Sequence, residues 1–171
     1  MASTKARRMK AEDVSAVKAV ESLDAGLRDF VGYNLKRSSE AIKSRLSRVL
    51  KQFDLKMVTY SALTVICENP GISQTQLADA LSIERTRTVL VVDELEQRGL
   101  ITRERVPSDR RAHSLMPTLA GRRLAEKARA ADVKHEAALL AGLNTEELGR
   151  FLGILRLIEQ RAAISPEPED H

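Results

Sequence analysis

The feature that leaves this chain fewest options is the run from Ser73 to Met116. Ser73 is followed three residues on by Gln76, the spacing at which two side chains satisfy two free backbone amides at a helix start. The helix this opens carries Leu77, Ala78 and Leu81. A tight connection at Ser82-Ile83 leads to a second helix, Glu84 to Arg98, whose apolar face is Thr88, Val91, Val92 and Leu95. Gly99 ends it, because glycine adopts the backbone conformation that closes helices. Leu100 to Val106 then alternates and is rich in β-branched and basic residues, Pro107-Ser108-Asp109 turns the chain, and Ala112 to Met116 can return as a second strand. The pattern predicts helix, tight turn, helix, hairpin.

The flanks are helical. A first helix is predicted from Asp24 to Phe53, with Leu27, Val31, Leu35, Ile42, Leu46, Val49 and Phe53 on one apolar stripe. A second spans Met57 to Glu68 and stops at Asn69-Pro70-Gly71. After the hairpin, Thr118 caps a long fifth helix reaching about Leu140. Asn144 and Glu147 form another capping box, opening a sixth helix to Ala163 that buries Leu148, Phe151, Leu152, Leu155 and Ile158. Pro117, at the end of the returning strand, lacks a backbone donor and is expected to shorten that strand.

Composition narrows function more by exclusion. Aromatic residues are 3% with no Trp, which argues against a platform that stacks single-stranded bases. One cysteine, Cys67, permits no intrachain disulfide, and a thiol beside Val65 and Ile66 reads as packing. No run of 18 apolar residues occurs, so no membrane span is expected, and the basic N-terminus lacks the apolar core of a secretory signal. A cytoplasmic setting is the expectation. No metal-ligand cluster has workable spacing, no cofactor motif is present, and no nucleophile, base and orienter can be assembled. The chain therefore reads as a non-enzyme.

A net charge of +4 is compatible with nucleic acid, but its distribution says more. A helix that enters the major groove of DNA needs one apolar face toward its core and one polar face outward. Glu84 to Arg98 meets this: Thr86, Arg87 and Leu90 lie opposite the Val92/Leu95 face, and Arg85 sits in the first turn. Its acidic half, Asp93, Glu94 and Glu96, should face away from phosphates. Ser73, Gln74 and Thr75, at the start of the preceding helix, are placed to touch the backbone of the duplex. In the hairpin, Arg103, Arg105, Arg110, Arg111 and His113 supply a second contact, since an Arg at a hairpin tip suits the narrow minor groove. Asp109 would hold one of these Arg side chains in place through a bidentate pair.

The run Leu77-Ala78, Arg85-Thr86, Leu95-Glu96-Gln97-Arg98-Gly99-Leu100-Ile101, Asp109-Arg110-Arg111-Ala112 and Gly121-Arg122 resembles the MarR family of bacterial transcriptional regulators, over about residues 24 to 163. The resemblance implies a mainly α fold with a small β-hairpin wing: a winged helix-turn-helix carried on a helical dimerisation domain. It implies a dimerisation region over 23–56 and 118–163 and a DNA-binding domain over 57–117, while the polar, charged start reads as a flexible or partly helical arm over 1–22 and the acidic, Pro-punctuated end as a disordered tail over 164–171. It also implies a homodimer on palindromic double-stranded DNA, with Arg111 as the minor-groove residue. The family has Leu-Thr where this chain has Pro117-Thr118.

Such a regulator is expected to answer to a small molecule held between the dimerisation helices and the winged domain. Lys36, Arg37, Lys43, Arg45, Arg48 and Lys51 crowd the first helix, against a single acidic residue, Glu40, after Asp29. These charges read either as a solvated basic face or as a site for an anionic ligand, with Tyr33, Arg37, Arg45, Arg48 and Tyr60 as its candidates. The segment Val31 to Arg37 is similar to MarR-type regulators of aromatic-acid and hydroxycinnamate catabolism. That likeness implies an effector such as an aromatic acid or its coenzyme A thioester, whose phosphates suit clustered Arg and Lys. The alternative is a winged-helix protein-interaction module with no operator.

Overall fold

The computed structural model describes residues 23–106 and 109–164, with residues 105, 106 and 109–113 described as backbone only. The expected arm at 1–22 and the tail from Ser165 lie outside the described residues. Among the described residues, six α-helices and a three-stranded sheet follow in order: α1 (Val31–Leu50), α2 (Met57–Glu68), β1 (Ile72–Ser73), α3 (Gln74–Leu81), α4 (Arg85–Gln97), β2 (Ile101–Val106), β3 (Asp109–Pro117), α5 (Leu119–Leu139) and α6 (Thr145–Ile164). Ile164, assigned to the tail from sequence, is the last residue of α6. Single 3-10 turns at Ala25–Leu27 and Lys51–Phe53 flank α1, so the expected long first helix is broken between Leu27 and Val31. No helix among the described residues is long and apolar enough to cross a membrane.

Helix starts follow the sequence closely. Ser73 Oγ accepts from the Gln76 amide at 3.2 Å, and Gln76 Oε1 accepts from the Ser73 amide at 3.0 Å. Asn144 and Glu147 make the same reciprocal pair at 2.9 and 2.8 Å. Each cap is worth about 1 kcal/mol. Helix ends share one device. Asp54 (φ 52°), Ser82 (φ 50°) and Gly99 (φ 66°) adopt left-handed backbone after α1, α3 and α4. In each case the next amide reaches back to a carbonyl five residues earlier: Leu55 to Leu50 at 3.2 Å, Ile83 to Ala78 at 3.1 Å, and Leu100 to Leu95 at 3.0 Å. Ser82 thereby sets the sharp turn between α3 and α4.

The sheet order is β1-β3-β2, with Ile72 opposite Leu115 and Ile101 opposite Pro117, both pairings antiparallel. The expectation that Pro117 shortens its strand fails, since β3 runs through it. The reason is parity. The Leu115 carbonyl accepts from the Gly71 amide, so Leu115 and, two residues on, Pro117 direct their backbone polar groups away from β2. The missing donor thus falls beyond the end of two-residue β1, where no strand pairs. Meanwhile Thr118, of opposite parity, donates to Leu100 at 3.0 Å.

Two connected cores result. Ala62, Leu63, Ile66, Leu77, Val92, Leu95, Ile101 and Leu115 fill the winged domain, while Leu50, Leu55, Tyr60 and Ala128 fill the junction of α1, α2 and α5. Leu124 packs against both. Tyr60 is buried and its hydroxyl donates to Asp132 Oδ2 at 3.0 Å, fastening α2 to α5. The apolar residues assigned to α6 behave otherwise. Phe151 and Leu152 are 45% and 40% exposed, and Leu148, Leu155 and Ile158 are only half-buried. On the opposite terminus Leu27, Phe30, Val31 and Ile42 are also exposed.

Gly121 lies where α5 crosses the start of β2. A Cβ there would sit 2.0 Å from the Leu100 carbonyl oxygen, a backbone atom that cannot swing aside. Gly121→Ala is expected to destabilise the protein by about 1–3 kcal/mol, the usual cost of overpacking, read as a lower denaturant midpoint. An unchanged midpoint would contradict this packing. A second expectation concerns Tyr60, whose phenol is pushed up to about 12 by burial and then by its hydrogen bond to Asp132 and that carboxylate's charge. Because the folded value exceeds the unfolded one near 10, this contribution is intact below pH 10 and is lost as pH rises through about 12. Ultraviolet titration should show a phenol ionising near pH 12 that disappears in Tyr60→Phe. If Tyr60→Phe leaves the titration curve unchanged above pH 11, the assignment is wrong.

Candidate functional site

Helix α4 presents three distinct faces. Thr88, Val91, Val92 and Leu95 are at most 5% exposed and anchor it to the core. Opposite them, one turn apart, stand Thr86 and Leu90, both exposed, with Leu90 at 70%. Arg85 and Arg87 flank this outer face near the helix start and are also exposed. Cations and small polar groups are thus gathered at the N-terminal half, as the sequence suggested.

The acidic half of α4 is occupied within the molecule. Arg103, from β2, places one guanidinium nitrogen on Asp93 Oδ1 and another on Glu96 Oε2. With its amide oxygen turned toward Arg103, Gln74 at the start of α3 accepts from Arg103 Nε at 3.1 Å and Nη2 at 3.3 Å. Burial works against the Arg103 charge, but the bond to Asp93 and the charges of Glu96 and Asp93 outweigh it and hold its pKa above the usual value. On the other flank Glu94 accepts from Thr59 Oγ1 at 3.4 Å and pairs with Lys56 at 3.7 Å and Arg98 at 3.8 Å. All three acids of α4's last turns therefore face internal cations.

The expected nucleic-acid set divides by surroundings. Arg103 and Gln74 are joined to each other, and Arg103 to α4, so they brace the hairpin. Ser73 Oγ accepts the Gln76 amide at the helix cap, a role that leaves its O–H able to donate. Thr75 of α3 and Arg85, Thr86, Arg87 and Leu90 of α4 are exposed. In the hairpin, Arg105 lies opposite His113 and Val106 opposite Asp109, with a register shift between Arg105 and Val106. Pro107 and Ser108, and the side chains of Arg105, Asp109, Arg110, Arg111 and His113, lie outside the described residues.

Beside the outer face of α4 opens a cavity of about 580 Å³. Lys43 and Ser47 of α1, Met57, Val58 and Ser61 of α2, Leu81 and Ile83 from the α3–α4 turn, and Arg87 of α4 line it. It combines an apolar lining with two cations and two hydroxyls. None of the five ligand candidates from sequence lines it. Tyr60 is turned to Asp132 inside the core. Tyr33 donates to Asp24 Oδ2 at 2.6 Å, and Arg28 and Arg37 pair with the same carboxylate at 3.1 and 3.5 Å. Tyr33's hydrogen bond, helped by the two guanidinium charges and opposed by burial, holds the Asp24 carboxyl below its usual range. That cluster fastens the 3-10 turn to α1. Arg45 and Arg48 are exposed on α1. Lys43, Ser47 and Ser61 were missed because nothing in their spacing distinguishes a cavity wall from a solvated helix face. Among the described residues no group of His, Cys, Asp and Glu could hold a metal ion.

Comparison with known proteins gives this geometry a context. A family model described as the MarR family matches residues 53–112. A Thauera aromatica protein, proposed as a transcriptional regulatory protein for the hcr operon, is 31% identical over 137 residues, spanning 80% of this chain and 82% of its own. The transcriptional repressor CouR, solved on a 23-mer DNA duplex, is 34% identical with a TM-score of 0.75, covering 80% of this chain and 96% of that one. CouR from Rhodococcus jostii RHA1, solved with p-coumaroyl-CoA, is 29% identical with a TM-score of 0.71, covering 84% and 98%. With its winged fold, the cationic N-terminal half of α4 and a relative of this identity across most of both chains, the protein belongs to the MarR family and is a MarR-type transcriptional regulator.

Proposed function

We propose that the protein is a homodimeric repressor that binds a palindromic operator and is released by an aromatic acyl-CoA thioester. The observation that carries the reading is the segregation of charge on α4. Its N-terminal half offers Arg85, Thr86, Arg87 and Leu90 outward, while Asp93, Glu94 and Glu96 are consumed by Arg103, Arg98 and Lys56. A helix arranged this way can approach phosphates without repulsion from its own acids. Arg105, Arg110, Arg111 and His113, with Asp109 as an orienting partner, complete the proposed contact from the wing, and Thr75 touches the backbone.

Dimerisation supplies the second half-site. Phe151, Leu152, Ile154 and Leu157 of α6, with Leu27, Phe30, Val31 and Ile42 at the other terminus, leave apolar area in water. Full burial of one such side chain is worth roughly 1.5–3 kcal/mol, so covering these surfaces with a second copy contributes many kcal/mol toward assembly. Two-fold symmetry then sets two α4 helices against successive turns of the duplex, about 34 Å apart. The effector site is assigned to the 580 Å³ cavity, where Met57, Val58, Leu81 and Ile83 accept an aromatic ring and Lys43 and Arg87 face its anionic part. Arg45 and Arg48, exposed on α1, are the candidates left for the outlying phosphates, since Arg37 and Tyr33 are engaged with Asp24 and Tyr60 with Asp132. The likeness to CouR, solved with both DNA and p-coumaroyl-CoA, supports this choice of ligands.

Operator affinity should fall steeply as salt rises, and a palindrome should be preferred over random duplex. Arg85→Ala is expected to reduce the slope of log affinity against log salt by about 2 per dimer, one phosphate contact per subunit. A protein-interaction module would show neither behaviour. Calorimetry should find the thioester binding more tightly than the free acid and releasing the operator; tighter binding of the acid would sink the effector assignment.

Arg103→Met tests the brace separately. Partly exposed ion pairs stabilise by only about 0–1 kcal/mol, so the unfolding midpoint should barely move. Operator affinity should nonetheless drop about tenfold, equivalent to roughly 1.4 kcal/mol, because wing and α4 lose their fixed relation. Full affinity in this variant would show that the wing is positioned by something else.

A further inference from the structure

We infer that Leu90 is a specificity-determining residue that reads the 5-methyl group of a thymine in each operator half-site. The inference rests on the reading of α4 as the helix that enters the major groove. Within α4, the other leucine, Leu95, is fully buried, as is Val92, and Val91 is 5% exposed, whereas Leu90 is 70% exposed. A single exposed leucine is ordinary on a protein surface. This one is not at a margin: it stands one turn after Thr86, at the centre of the face opposite the core, with Arg87 and the 43%-exposed Val89 beside it.

The chemistry of the groove selects the partner. The base edges exposed there carry donors and acceptors that would be desolvated, unpaired, by a leucine. The one apolar feature is the methyl group of thymine. A leucine pressed against a cytosine or guanine edge would strip water from a polar group and return nothing. Facing thymine, it covers a methyl and removes apolar area of its own from water. Thr86 and Arg87, one turn back, can meet polar edges or phosphates, so the outer face pairs one apolar reader with polar ones. Discrimination at the Leu90 position therefore favours an A·T pair with its thymine on the strand that α4 faces.

The test uses the full-length dimer and an operator selected from a random duplex library. Thymines are replaced one at a time, symmetrically in both half-sites, by deoxyuridine, which removes only the methyl. At one position the wild type should lose about fourfold per half-site, the worth of one buried methyl-sized group. Leu90→Ala, a change at an exposed site, should bind that operator more weakly and be indifferent to uracil at that position alone. A duplex series bound equally well by the wild type would overturn the inference while leaving operator binding intact. So would a Leu90→Ala protein that keeps the full uracil penalty. Failure to select or bind any duplex would overturn both this inference and the reading beneath it.

Discussion

The backbone of Leu100 joins four elements at once. Its amide closes α4 by donating to Leu95 at 3.0 Å, and its carbonyl accepts both the amide and the hydroxyl of Thr118, at 3.0 and 3.1 Å. Thr118 in turn caps α5 through the Gly121 amide at 3.0 Å. The end of α4, the start of β2, the end of β3 and the start of α5 are thereby referred to the backbone of one residue, and Gly121 is there because no larger residue allows so close an approach to its carbonyl. Any rotation of α5 relative to the winged domain must either preserve this contact or break several hydrogen bonds together. The start of β2 and the start of α5 consequently share one fixed contact.

Charge follows the same economy. An isolated α4 would be a poor partner for a polyanion, with Asp93, Glu94 and Glu96 cancelling Arg85 and Arg87. Folding changes the account by recruiting Arg103, Arg98 and Lys56 to those carboxylates. Each of these pairs contributes little to stability, since partly exposed ion pairs are weak. Their value is positional: they screen the acids from the outer face, and Arg103 also aligns β2 with α4 and reaches Gln74 of α3. Arg103 and Gln74, which the sequence offers as DNA contacts, are engaged with each other and with the acids of α4.

What was legible in the sequence was local. Capping boxes at Ser73/Gln76 and Asn144/Glu147, the Gly99 stop and the hairpin pattern are fixed by residues three or four positions apart, and the structure reproduces them. Long-range facts were not legible. The pairing of two-residue β1 with Leu115 and Ser114 depends on a partner more than 40 positions away. Ser82 in left-handed backbone is hard to foresee, because serine rarely adopts it outside such a closure. Pro117 misled because its effect depends on which side of β3 its missing donor faces, and that parity is set by the pairing, not by the residue. The apolar stripe assigned to one long first helix divides in the same way: Leu46 and Phe53 join Leu50 inside, while Leu27, Val31 and Ile42 stay outside. A stripe in sequence records that a face is apolar, not whether the same chain or another covers it.

Arg87 connects the two halves of the proposed mechanism. It flanks the outer face of α4 and also lines the cavity with Lys43 of α1. Its side chain is long, exposed and rich in rotamers, so the two environments lie within reach of one residue at little conformational cost. An occupant changes operator affinity only through a difference in its binding to the DNA-competent and incompetent states. The cavity walls come from α1, from α2 and from the turn that sets α4, so a bulky occupant bears directly on the angle between α1 and the recognition helix. The rigid closure at Leu100 and the Tyr60–Asp132 link hold the opposite side of the winged domain to α5. In the proposed dimer, the coordinate such an occupant would act on is the spacing of the two α4 helices.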